Sequence, residues 1–343
     1  MRQRHLLILL AVTALAVVLA VVSSVGGSTA QNDPLVGTLV LPDLGRQLQA
    51  VDRITMVRGT QKVTLKHAAT GWQNEDKGGW PADATHVRHL LLGLAELRYV
   101  EPKTRESKLY PRLGVEDAGK PDSKSTLVTV ADAKGKLLAD IIAGKSKYDE
   151  LGGGDDGLYL RKPGDVQSWL ARGSLDLAGD PGVWLNKTLF DVPAATIKEA
   201  VFTAANGAEV TIVRAAAGDK FHLVNPIPKG KKLKDGDPLA EPAGVLASLE
   251  LADVQSATAF ALPETGIAHA RFTTFDGLTV MLAIADRDKT SWVRITAAGS
   301  GAAAAEAQAI NAKVHGWLFA FADYKSGLLK TTLANLIEPA KSS

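Results

Sequence analysis

The chain has no cysteine among its 343 residues. That excludes disulfides, zinc–thiolate sites, iron–sulfur clusters and cysteine nucleophiles. It also fits an oxidising compartment, where a stray thiol is a liability. Charge of one sign is missing too: 39 Lys and Arg stand against 37 Asp and Glu, a net +2. Such a balance gives no field strong enough to argue for nucleic acid as a partner. There is no G-x-S-x-G elbow, no H-E-x-x-H, no dinucleotide fingerprint and no paired-carboxylate signature. The seven histidines are scattered singly apart from His86 and His89. For an enzyme of this size the inventory is sparse. No catalytic, cofactor-binding or metal-ligating residue is assigned, and no cofactor is expected.

What is present begins at the N-terminus. Arg2 and Arg4 precede a run from Leu6 to Val22 without a charge. Seventeen residues rise roughly 25 Å as a helix, and continuation through Val25 approaches the ~30 Å hydrocarbon thickness. The arginines stay cytoplasmic by the positive-inside rule, so the bulk of the chain is exported. A cleaved signal peptide is the competing reading, with Ser28-Thr29-Ala30 before a cut at Gln31. The apolar core exceeds the usual length of a signal peptide, about 7–15 residues, so residues 1–30 are read as an uncleaved transmembrane anchor. Residues 31–50, polar and bearing Gly and Pro, read as a juxtamembrane linker.

From residue 51 the patterning changes. VDRITMVRGTQKVTLKHA alternates apolar and polar residues about Gly59, and a third strand follows through Trp72. Pro81 and Asp83 open a helix carrying Val87, Leu90, Leu91, Leu94 and Leu97 at helical spacing. A hairpin turning at Lys134-Gly135 comes next, then a strand LYLR, a short helix over 165–172 and the run VWLNKTLFDVP. From Ala195 the order begins again: strands about Asn206-Gly207, Phe221 in the place of Trp72, an apolar-faced helix within 238–257 and a hairpin at Asp276-Gly277. A strand SWVRITA, an Ala-rich helix and the run GWLFAFADYKSGLL complete it. Tyr159 and Trp292 are separated by 133 residues (292 − 159), as are Trp184 and Trp317 (317 − 184), whereas Ile54 pairs with Val201 at 147 (201 − 54).

The expected fold class is α+β. A transmembrane helix precedes two tandem homologous modules, 51–195 and 196–340, each a mainly antiparallel sheet covered by helices. The Trp runs are expected to close their modules. Core is the default for all six tryptophans except Trp80.

Four stretches could carry chemistry. Asp83, His86 and His89 at i, i+3 and i+6 share a helix face and could offer imidazoles to a metal, but no third or fourth ligand is marked. LGGGDDGLY (151–159) lacks the Lys-Ser/Thr of a phosphate loop and reads as a hairpin loop. The lysine-rich PKGKKLKDGDP (228–238) reads as solvated, with an anionic lipid or acidic partner as the functional alternative. Asn186-Lys187-Thr188 matches a glycosylation acceptor but falls within a run expected to be buried.

GWPAD opening a helix with LLLGLAEL, YLRKPGD and VWLNKTLF, behind an N-terminal anchor, together resemble the family called domain of unknown function 4340. The resemblance covers nearly the whole chain from about residue 50. It implies a bacterial, single-pass inner-membrane protein with a cytoplasmic N-terminus and a periplasmic bulk. It further implies genes beside ABC-type transport components related to gliding motility. On that basis the expected function is a non-enzymatic accessory or scaffolding subunit, with an ABC-type permease, ATPase or auxiliary envelope subunits as partners. The alternatives are a periplasmic small-molecule binding protein, or an envelope hydrolase or metal-dependent enzyme using the His86/His89 face.

Overall fold

The computed structural model describes residues 33–149, 151, 156–247 and 249–340. The expected anchor, residues 1–30, lies outside them. Among the described residues no helix is long and apolar enough to cross a membrane. The chain divides into two compact units between Trp184 and Leu185. It is a sheet-rich α+β fold with few helices, and its strand pairings are antiparallel.

The first unit holds β1 (Val51–Arg58), β2 (Gln61–Ala68), β3 (Gly71–Asn74), β4 (Trp80–Pro81), β5 (Arg98–Pro102), β6 (Thr126–Asp132), β7 (Leu137–Lys147), β8 (Gly157–Arg161) and β9 (Ser168–Arg172). They form one sheet in the order β4-β3-β2-β1-β6-β7-β8-β9-β5. Alternation in β1 and β2 sends Ile54, Met56, Val63 and Leu65 to one buried face. Gly59 makes their turn at φ +56°, where a Cβ would also meet the Pro121 carbonyl oxygen at 2.8 Å. Asp83 caps the helix Ala84–Glu96 by accepting hydrogen bonds from the N–H groups of Thr85 and His86. Val87, Leu90, Leu91 and Leu94 then pack into the core formed by that face.

In a second, smaller cluster Ile142, Tyr159 and Leu170, one from each of β7, β8 and β9, pack with Tyr110 and Val115 from the segment before β6. Those strands therefore carry apolar side chains on both faces. For the same reason the segment 165–172, expected as a helix, contains β9. Burial on both faces erases the alternation that marks a strand.

The second unit holds β10 (Ile197–Thr203), β11 (Glu209–Val213), β12 (His222–Leu223), β13 (Lys231–Leu233), β14 (Asp253–Ser256), β15 (Ala268–Thr274), β16 (Thr279–Arg287), β17 (Thr290–Ala298), β18 (Trp317–Ala320) and β19 (Ile337–Pro339). Its main sheet runs β12-β11-β10-β15-β16-β17-β18-β14, while β13 and β19 pair separately. Strand for strand, this order matches β3-β2-β1-β6-β7-β8-β9-β5. Even the irregularities coincide: the register of β1 against β6 shifts between Val51 and Arg53, and that of β10 against β15 between Ile197 and Glu199.

Matched registers give an alignment. Ile54 corresponds to Ala200, one residue from the expected Val201, and Tyr159 corresponds to Trp292. Trp317, however, lies in β18, the counterpart of β9, whereas Trp184 lies beyond β9 in a short 3₁₀ turn (Pro181–Trp184). Their shared spacing is a coincidence.

The helices do not correspond. The apolar stretch within 238–257 forms only one helical turn, Ala240–Ala243. Pro242 lies inside that turn, and a Cβ on Gly244 would meet the Ala194 side chain at 2.9 Å. The longer helix of this unit, Ala303–Val314, comes between β17 and β18 instead. Asn311 pins it there, accepting from Ala297 N–H at 2.8 Å and donating to Ala297 C=O at 2.7 Å.

The stretch read as a linker is also structured from residue 33. Gly37 and Val40 donate backbone N–H groups to the carbonyls of Tyr99 and Leu97, and Tyr99 N–H donates to Thr38. Residues 37–40 thus strap the free edge of β5, and Val40, Leu41 and Leu44 continue into the core. The second unit opens likewise: Leu251 N–H donates to Lys187 C=O, and Thr188 bridges Glu250, beside β14. VWLNKTLFDVP therefore straddles the division, and its later part opens a unit instead of closing one. Trp80, expected to be the exposed tryptophan, is 1% exposed, while Trp72 and Trp317 are half-buried.

If residues 33–50 belong to the fold, Leu44→Ala should lower unfolding stability by about 2–5 kcal/mol, read by denaturant titration of tryptophan fluorescence. A loss below about 0.5 kcal/mol, the usual surface value, would return them to linker status.

Candidate functional site

The two histidines part company. The His86 ring stacks on Trp184, with centroids 4.2 Å apart and planes at 20°. Its Nε2 lies 2.9 Å from Asp176 Oδ2. His89 is exposed on the next turn. Among the described residues no group of three or more His, Asp or Glu side chains could hold a metal ion. His86 instead packs the 3₁₀ turn carrying Trp184 against the helix.

Residues 152–155 of the glycine-rich loop lie outside the described residues. The lysine-rich loop contains β13, where Lys232 pairs with Asp235 and Glu338, and Lys229, Lys231 and Lys234 remain exposed. Asn186, Lys187 and Thr188 are exposed on the second strap, not buried in an apolar run.

The first unit has a better-formed site that the sequence did not mark. A cavity of about 460 Å³ opens between the strap, β5, β9 and the turn after β8, a volume within the range of small-molecule pockets. Tyr99 lies at its wall against Trp169, centroids 4.6 Å apart. Burial, reinforced by the negative charge of Asp165, pushes the Tyr99 phenol up to about 12. Tyr99 therefore remains a hydrogen-bond donor at neutral pH and is neither a base nor a nucleophile there.

Arg105 and Lys162 line the same cavity, and neither has a carboxylate partner among the described residues. Asp165 and Asp33 also line it; their carboxylates accept backbone N–H groups from Gln167 and Leu35. The arrangement offers two spare cations, a protonated phenol, an indole and an apolar wall. It can hold a small anionic or zwitterionic group.

A cavity of about 420 Å³ in the second unit differs in this respect. There Lys330 sits 2.8 Å from Asp286, whose other neighbour is the Ser291 hydroxyl, and these contacts hold the Asp286 carboxyl below its usual range. Its cation is already spent.

Tyr99, Arg105, Lys162 and Asp165 were missed because they arrive from separate stretches with no shared spacing. Only the fold of the strap and the turn after β8 brings them together.

A family model described as a domain of unknown function (DUF4340) matches residues 72–271, from β3 to β15. No curated protein and no solved structure matches the chain.

Two outcomes are expected. His86→Ala should lower stability by about 1 kcal/mol, from the lost aromatic stack, and His89→Ala by less than about 0.5 kcal/mol, with metal content unchanged in both. Metal retention lost on His89→Ala would contradict this. Second, Tyr99 releases its proton near pH 12 when folded against 10.0 for the free side chain. Its contribution to stability is complete below pH 10 and is lost as pH rises from 10 to 12. Denaturant titrations across that window should show a smaller alkaline loss in Tyr99→Phe than in the parent.

Proposed function

The chain belongs to the domain of unknown function (DUF4340) family, and from that premise we propose that it is a membrane-anchored, extracytoplasmic scaffolding subunit of an ABC-type transport or envelope complex. The observation that carries the reading is the repeated strand order. It supports one ancestral module used twice, so that two sheets of matching strand order offer docking surfaces on one tether. The tether is the charge-free run Leu6–Val22 behind Arg2 and Arg4.

A second reading, an extracytoplasmic small-molecule binding protein, is favoured by the cavity beside Tyr99 with its spare Arg105 and Lys162. The enzyme alternative built on His86 and His89 has no such support, because His86 is committed to Trp184 and Asp176.

Affinity purification of the tagged full-length chain from its host membranes in mild detergent tests the first reading. An ATPase and a multi-pass permease should co-purify, and the tagged chain should stay in the membrane fraction at full length. Recovery of the chain alone, or of a soluble product starting at Gln31, contradicts it. For the second reading, Arg105→Ala combined with Lys162→Ala should abolish retention of any anionic metabolite that mass spectrometry finds with the parent protein.

A further inference from the structure

The two sheets differ at the edge opposite the straps. In the first unit β3 is covered by β4, with Asn74 paired to Trp80 and Gln73 to Pro81. The outward carbonyls there are taken up: Ala82 N–H donates to Trp72 C=O at 2.8 Å and Gly79 N–H to Asn74 C=O at 2.9 Å.

Matched registers place β12 where β3 stands. Ile54 pairs with Leu65 and Leu65 with Asn74; Ala200 pairs with Ile212 and Ile212 with Leu223. Leu223 thus corresponds to Asn74, and Phe221 to Trp72. A side-chain device recurs at the same place: the His67 ring sits edge-on to Trp72 at 5.2 Å, and the Arg214 guanidinium lies 4.5 Å over Phe221.

Among the described residues no strand covers β12 on its outer side. The chain leaves through Pro226 and Pro228, and the next strand, β13, pairs with β19. Val224 N–H donates to Thr211 C=O at 2.9 Å. Alternation along an antiparallel strand then turns the peptide groups of Phe221 and Leu223 outward. Among the described residues, none of those outward carbonyls accepts a hydrogen bond. Asn74 is fully buried beneath β4, whereas Leu223 is half-buried, Val224 is 60% exposed and Ile227 39%.

We propose that the outer edge of β12 accepts an added strand from a partner protein: an extended acidic segment carrying one large aromatic residue. The proposal deepens the scaffolding reading and rests on it. Charge sets the acidity. Residues 219–234 hold five lysines and one acid, Asp219, and Lys220, Lys229, Lys231 and Lys234 are exposed without a carboxylate partner among the described residues. The first unit shows the form of the occupant. The stretch covering β3 is EDKGGWPAD (75–83), with three acids, one lysine and the buried Trp80. Backbone pairing supplies affinity in such strand addition, and the side chain that finds a pocket supplies specificity.

The probe is a fluorescent synthetic peptide EDKGGWPAD, titrated against the full-length protein in detergent and followed by anisotropy. Binding should saturate at one site and weaken with added salt. It should fall at least tenfold for a peptide with alanine in place of tryptophan, and equally for Leu223→Pro. Proline at that position removes an outward N–H on an edge strand, where proline is accommodated, and a thermal melt confirms folding. Should Leu223→Pro unfold, Lys220→Glu combined with Lys229→Glu reports instead, again with a tenfold loss expected.

Absent binding to the parent, or equal binding to the edge and charge variants, overturns the proposal. So does a dimer of the parent that Leu223→Pro dissolves, because a second copy would then own the edge. The assay needs no transport component. Its failure with an ATPase and permease still co-purifying would remove this edge and leave the scaffolding reading standing.

Discussion

Three backbone hydrogen bonds between residues 37–40 and the edge of β5 set the layout of the first unit. A sheet edge is a row of unpaired peptide groups, and something must satisfy or shield it. Here the chain does so with the segment that leads into β1. The strap then delivers Val40, Leu41 and Leu44 into the core and starts β1 near the middle of the sheet. It also forms one wall of the cavity beside Tyr99. The second unit repeats the device with Lys187 and Thr188 beside β14. Where the units differ is at the far edge, covered by β4 in one and left uncovered in the other.

The units also differ in what covers their faces. The first lays a long capped helix over its sheet before β5, and the second inserts its longer helix between β17 and β18. Sheet order is held while helix position is not. This is the expected asymmetry: a strand is tied to two neighbours by register, whereas a covering helix needs only an apolar stripe of suitable width.

Sequence patterning was readable where one face of an element meets solvent. Ile54 and Met56 in β1 and Val63 and Leu65 in β2 keep their alternation, Asp83 caps its helix, and the Phe221 correspondence to Trp72 survives the register. It failed where burial is two-sided, as in β9, whose Ser168 to Ala171 are all buried. It failed again where a short segment gains its structure from a distant edge, since nothing in VGTLVLP itself announces that Leu97 and Tyr99 will receive it. The match of Trp184 with Trp317 misled because spacing in sequence carries no register. The site was the least legible part. Arg105 and Lys162 are ordinary surface residues until the strap and the turn after β8 place them in one cavity, and His86 drew notice only because His89 lies nearby.

Amide hydrogen exchange on the full-length chain tests the central claim, that each sheet is closed at one edge by the segment leading into its first strand and that, among the described residues, the second is open opposite. The amides of Gly37, Val40, Tyr99 and Leu251 should be protected well beyond unstructured rates, while that of Leu223 exchanges rapidly in the isolated protein. Random-coil exchange at Val40 and Leu251, or strong protection at Leu223, would contradict the account.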